Sequence, residues 1–273
     1  MSRRHLVLGC LATTSLLNTT SLLTLFGATP AVAASKYATT DYVAPGDSYS
    51  SGVGSPGQVG FCLRSPNGYP GQWAAANSPK SFTNLACSGA TTTDVLSSQV
   101  PLLSSGADLI SITIGGNDAG FAPTVLSCEV SSDAACAATV ASAENDIRQS
   151  VAAKLDATYA AIKNRAPHAK VVVLDYPLLF DTSKSSCGLG GMSLAKRKAL
   201  DDGAQILDDL AKGRAQAAGF SYTEVRGTFA RHGICASSPY LNDLTVLPPT
   251  NSFHPTKTGY TYGYLPALSS AVS

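Results

Sequence analysis

Apolar residues in this chain follow two rhythms. Short apolar stretches closed by turn residues occur at Asp41–Ala44, Phe82–Ala86, Asp108–Ile114, Lys170–Pro177 and Phe220–Val225. The run Val171-Val172-Val173-Leu174 is unbroken, as a strand buried on both faces requires, and Leu109–Ile114 is nearly so. Between these stretches the spacing lengthens. Ile147, Val151, Leu155, Thr158 and Ile162 recur every three or four residues within Ala138–Arg165, which predicts an amphipathic helix ended at Pro167. Leu200, Ala204, Leu207 and Leu210 predict a second within Ser193–Ala218, with Gly219 as its stop. A short helix is predicted at Gly71–Asn77 and a last one over Thr256–Leu268, although Gly259 and Gly263 weaken it. Ser50–Pro70 is rich in Gly, Ser and Pro and reads as loop.

Strands alternating with helices imply an α/β fold, a parallel sheet covered on both faces as a three-layer α/β/α sandwich. No internal repeat or linker divides the part after the N-terminus, so a single domain is expected over 35–273. Residues 1–34 read as an export signal peptide. Arg3-Arg4 give a basic start, Leu16-Leu17 and Leu22–Phe26 an interrupted apolar stretch, and Ala31-Val32-Ala33 a small-residue cleavage site. Cleavage after Ala33 or Ala34 fits equally well, and Ser2-Arg3-Arg4 also resembles a twin-arginine signal. Gly9-Cys10 has too few apolar residues before it for a lipoprotein site. No later apolar run approaches the roughly 20 residues that cross a bilayer. The mature chain is expected to be secreted and extracellular, with no stable membrane anchor.

Charge changes the picture by exclusion. The formal net charge is +1 and no basic run follows the first residues, so nucleic acid is a poor partner. Of seven cysteines, Cys10 leaves with the signal. Cys62, Cys87, Cys128, Cys136, Cys187 and Cys235 remain, an even number that reads as disulfides after an export signal. Six cysteines allow 15 pairings. No Cys-x-x-Cys is present and only His168, His232 and His254 survive, which argues against structural zinc.

Three short segments carry candidate chemistry. Gly46-Asp47-Ser48-Tyr49 follows the first strand, Gly115-Gly116-Asn117-Asp118 follows the third, and Ser252-Phe253-His254-Pro255 lies near the end. Together they supply a hydroxyl nucleophile, a side-chain amide donor and an imidazole base, the parts of a serine esterase. Ser48 and Asn117 both fall just beyond strand carboxyl ends, where parallel sheets bind ligands. Asp47 reads as a brace for the nucleophile loop, because adjacent side chains diverge. Gly89, in Ala86-Cys87-Ser88-Gly89-Ala90, can bring a backbone N–H close to a ligand. Pro255 biases His254 to an extended conformation and suits the first position of a helix. His168 and His232 read as solvated. Gly52-Val53-Gly54-Ser55-Pro56-Gly57 imitates a dinucleotide fingerprint, but Pro56 sits where the helix should start and no acidic residue follows about 20 residues on.

The order G-D-S-Y, A-C-S-G-A-T, G-G-N-D, S-F-H-P resembles the SGNH or GDSL hydrolase superfamily, nearest its secreted actinomycete lipases and phospholipases A1. The resemblance implies a flavodoxin-like sheet, Ser48 as nucleophile and His254 as base. It implies an oxyanion hole from the N–H groups of Ser48 and Gly89 and the Asn117 amide. It also implies the pairs Cys62–Cys87, Cys128–Cys136 and Cys187–Cys235. Many members place Asp three residues before the histidine, where this chain has Asn251. The carbonyl of Ser252 or Asn251 is expected to orient the imidazole instead, giving a dyad, with Asp243 a distant fallback acid. The expectation is an exported, monomeric lipase or esterase acting on lipid acyl esters without cofactor or metal. Phospholipase A1, acetyl-carbohydrate esterase and a non-catalytic disulfide-braced binding module are the alternatives.

Overall fold

Five parallel strands form one sheet: β1 Asp41–Ala44, β2 Ser81–Asn84, β3 Leu109–Ile112, β4 Lys170–Leu174 and β5 Ser221–Thr223. Their order is β2-β1-β3-β4-β5, with Tyr42 opposite Leu109, Ile110 opposite Val171 and Val173 opposite Tyr222. The computed structural model describes residues 35–187 and 191–273. The expected export segment, residues 1–34, lies outside the described residues.

The apolar runs became central strands because both faces are covered. Every residue of β3 is buried, as are all of β4 after Lys170. β2 and β5, at the edges, are only half-buried. The strands are shorter than the apolar runs for a local reason. Beyond Ile112 the Thr113 carbonyl accepts from Asp47 N–H at 3.1 Å, and Ser50 Oγ accepts from Thr113 N–H at 2.9 Å. A turn after β1, not a neighbouring strand, takes up the polar groups beyond β3.

The predicted helix ending at Arg165 is longer than its apolar spacing shows. It runs as Asp133–Asp146, a wide turn Ile147–Val151, and Ala152–Arg165, capped by Ser132. The Leu194–Ala217 helix begins on a Ser193 cap, buries Leu200, Ala204 and Leu207, and packs on this one. A helix at Phe121–Val130 was not expected. Phe121, Val125 and Cys128 fall at helical spacing over only ten residues, and Pro123, a breaker by sequence, falls in the first turn, where it is tolerated. The last helical stretch runs from Lys257 to Val272 through a wide turn at Tyr260–Tyr264. Gly259 and Gly263 do not weaken it, because each lets another segment approach: a Cβ would lie 2.2 Å from the Tyr240 carbonyl oxygen at Gly259 and 2.1 Å from the Phe229 ring at Gly263.

Cysteines pair as Cys62–Cys87, Cys128–Cys136 and Cys187–Cys235. No helix among the described residues is long and apolar enough to cross a membrane.

Candidate active site

The chain leaves β1 at Pro45-Gly46 and turns at once into a helical turn, Ser48–Ser51. Asp47 caps it, accepting from Tyr49 N–H at 2.9 Å. Only glycine fits before it. Gly46 has φ +132°, and a Cβ there would lie 2.5 Å from Ser50 Oγ and 2.6 Å from the Thr113 carbonyl. The buried Gln99 amide grips Gly46 at both ends, accepting from its N–H at 2.7 Å and donating to its carbonyl at 3.0 Å. Ser48 is thereby fixed at the first position of a helical turn, where its N–H has no acceptor within the helix.

The Gly115–Asp118 loop is set beside that turn by Tyr176, which follows β4. Its buried hydroxyl accepts from Gly116 N–H at 2.9 Å and donates to Asp47. Burial pushes Asp47 up to about 7, opposed by the Tyr176 hydroxyl and backbone N–H donors. Asn117 Nδ2 donates to the Ala90 carbonyl at 2.9 Å, next to Gly89, whose φ is +78°. Asp118 ties the same two loops together, accepting from Thr92 N–H at 2.8 Å and Thr92 Oγ1 at 2.7 Å.

His254 arrives from the other end of the chain. Its Nδ1 lies 2.8 Å from the Ser252 carbonyl and its Nε2 2.7 Å from Ser48 Oγ. A carbonyl only accepts, so Nδ1 carries the proton and Nε2 presents its lone pair to the serine hydroxyl. Burial lowers the imidazole to about 4, against the opposing bonds to the Ser252 and Thr250 carbonyls. Of the two carbonyls expected to orient the ring, Ser252 faces it. The Asn251 carbonyl accepts instead from His254 backbone N–H at 3.2 Å, and the Asn251 side chain from Gln58 Nε2 at 2.8 Å. Asp243 accepts from Leu244 N–H at 2.7 Å and does not bond the imidazole. His168 is exposed, whereas His232 differs from its expected solvated state: it is half-buried and stacks 3.8 Å from Tyr240.

Ser48, Gly89, Asn117 and His254 line one cleft of about 280 Å³. Phe121, Ala122, Leu126 and Leu244 make its apolar side. Among the described residues no cluster of His, Cys, Asp and Glu has metal-site geometry.

Comparison with known proteins identifies the family. The model of the GDSL-like lipase/acylhydrolase family matches residues 44–262. The chain belongs to that family. It is a carboxylic ester hydrolase of the SGNH type. A lipase of Streptomyces rimosus is 47% identical over 263 residues, spanning 95% of this chain and 97% of the relative. The crystal structure of the extracellular lipase of Streptomyces rimosus aligns with a TM-score of 0.82 at 46% identity, over 85% of this chain and 100% of the other. That of phospholipase A1 from Streptomyces albidoflavus NA297 aligns at 0.83 and 41% identity, over 86% of this chain and 100% of that one.

Within this GDSL-type site, the supports of the histidine escape sequence reasoning. Asn242 Nδ2 donates to the carbonyls of Gly54 and His254, at 3.1 and 2.9 Å. Gly54, inside the false dinucleotide fingerprint, has φ +89°, and a Cβ there would come within 2.8 Å of His254 Cβ. The glycine-rich loop is the wall behind the imidazole.

Proposed function

We propose that residues 1–34 export a single-domain enzyme that hydrolyses fatty acyl esters of lipids through a Ser48–His254 dyad. The reading rests on one observation above all: the 2.7 Å approach of His254 Nε2 to Ser48 Oγ at the apolar cleft. His254 takes the hydroxyl proton as Ser48 attacks the ester carbonyl. Negative charge on the carbonyl oxygen is met by Ser48 N–H, Gly89 N–H and the Asn117 amide. The imidazolium, held by the Ser252 carbonyl, protonates the leaving alkoxide, and water then releases the acid. Low polarity on one side of the cleft suits an alkyl chain. The likeness to both a lipase and a phospholipase A1 supports glycerolipids as substrates and leaves phospholipid as the second reading. The protein acts as an extracellular monomer.

Ser48→Ala should abolish release of fatty acid from triacylglycerol emulsions and from the sn-1 position of phosphatidylcholine, and also labelling by a fluorophosphonate. The melting temperature should move by no more than a few degrees, since a small hydroxyl contributes little to the core. Retention of more than a few per cent of activity rules out Ser48 as nucleophile. The ratio of the two wild-type rates separates lipase from phospholipase A1.

A further inference from the structure

Tyr49 follows Ser48 directly, yet its hydroxyl reaches 204 residues along the chain to donate to the Phe253 carbonyl at 2.7 Å. Both partners are buried. The ring does separate work: it lies 5.0 Å from the Tyr176 ring and 5.2 Å from the His254 imidazole, between centroids. Nucleophile turn and histidine loop are therefore joined by a single side chain.

The histidine loop depends on such attachments. Three successive carbonyls there go to three different partners: Ser252 to the imidazole Nδ1, Phe253 to the Tyr49 hydroxyl, and His254 to the N–H and side chain of Asn242. Phe253 has φ +63°, a left-handed conformation that side chains other than glycine and asparagine seldom adopt. That conformation lets the Ser252 and Phe253 carbonyls face different partners. It persists only while its surroundings hold it.

We propose that Tyr49 is a positioning residue whose hydroxyl sets the approach of His254 to Ser48 by holding the Phe253 carbonyl. Without that donor a buried carbonyl is left unpaired, and residue 253 relaxes toward the ordinary extended region. The relaxation carries the His254 backbone with it and draws the Ser252 carbonyl away from Nδ1. A displacement of about 1 Å between reacting groups costs as much as ~10²-fold in rate. The inference rests on the Ser48–His254 reading given above.

Tyr49→Phe keeps the ring and removes only the hydroxyl. Its kcat on a chromogenic ester should fall about tenfold or more, with KM within twofold and an unchanged circular dichroism spectrum. Fluorophosphonate labelling should slow by a similar factor. Tyr159→Phe is the control, because the Tyr159 hydroxyl is equally buried and has no hydrogen-bond partner among the described residues; its kcat should match the wild type. In a His254→Ala background, Tyr49→Phe should cost nothing further, since a group that acts through the imidazole has nothing left to position. A Tyr49→Phe enzyme keeping more than half its kcat overturns the proposal. So does an equal loss in both backgrounds, which a general loosening of the fold would give. An active His254→Ala enzyme instead overturns the dyad, and the positioning role with it. A crippled His254→Ala beside a neutral Tyr49→Phe leaves the dyad standing and removes the positioning role alone.

Discussion

The two halves of the proposed dyad are held by different means. Ser48 sits on the rim of a buried sheet: β1 delivers it, β3 supplies the Thr113 backbone beside it, and Asp47, Ser48 and Tyr49 are all buried. His254 lies in a loop outside the sheet, beside a short antiparallel pairing of Leu241 with Pro255. That loop exposes Leu244, Val246 and Leu247, the last at 89%. Its order comes from main-chain bonds, Asn242 N–H to the His254 carbonyl at 2.9 Å and Phe253 N–H to the Asn242 carbonyl at 3.0 Å, together with the Tyr49 and Asn242 side chains. The end of a sheet strand positions Ser48, then, and a short loop pairing reinforced by long-range side-chain bonds positions His254.

The largest effect should come from a group on the sheet side that touches the reacting atoms. Asn117→Ala should lower kcat by about 10²–10³, the usual cost of one oxyanion donor, with KM little changed in steady-state kinetics. A loss below tenfold would mean that the two backbone donors suffice.

The contrast itself is tested by two side-chain amides, Gln99 buried and Asn242 half-buried. Asn242 supports the histidine loop and Gln99 the nucleophile turn, each through two side-chain bonds to the main chain. Asn242→Ala should cut kcat/KM roughly tenfold, because it frees the base. Gln99→Ala should instead cost stability, about 1–3 kcal/mol in denaturant melts for the unpaired Gly46 groups, with kcat within about threefold. If both variants lose activity equally, the difference between the two halves is not real.

Acid should disable the histidine half only late. An unperturbed imidazole titrates near 6.5, and burial brings His254 to about 4. Lowering an imidazole pKa favours its neutral form, so the base stays competent above about 4 and is lost as pH falls through that value. The acid limb of kcat/KM against pH should therefore lie well below 6.5. A limb at 6.5 or above would show that His254 is solvated or paired with a negative charge.

Asn251→Ala should have the smallest effect, under tenfold in kcat/KM, since its side chain binds Gln58 and not the imidazole. A loss comparable to that of His254→Ala would restore the position to the role that an acid holds in other members.

Much of this was legible in the residues. Runs such as Lys170–Leu174 announce a sheet because burial on both faces leaves no polar alternation, and the four ordered motifs announce the site. Their supports were not legible. Gly54, Asn242 and Tyr49 act on a loop about 200 residues away or on a neighbour whose conformation is set by that loop, and no local pattern records such pairing. Tyr49 lies inside the first motif yet serves the last. Phe121–Val130 was missed for another reason: the helix is only ten residues long, buries only Val125 and Cys128, and holds Pro123, which reads as a breaker.

The pairing of the cysteines bears on how the protein is made. Each bonds the next along the chain, so the three closed loops neither nest nor overlap. On the proposed export, if the chain crosses unfolded and N-terminus first into an oxidising space, each of these six cysteines meets its correct partner before a wrong one among them. On that route the order of emergence favours the native connectivity out of the 15 arrangements that six cysteines permit.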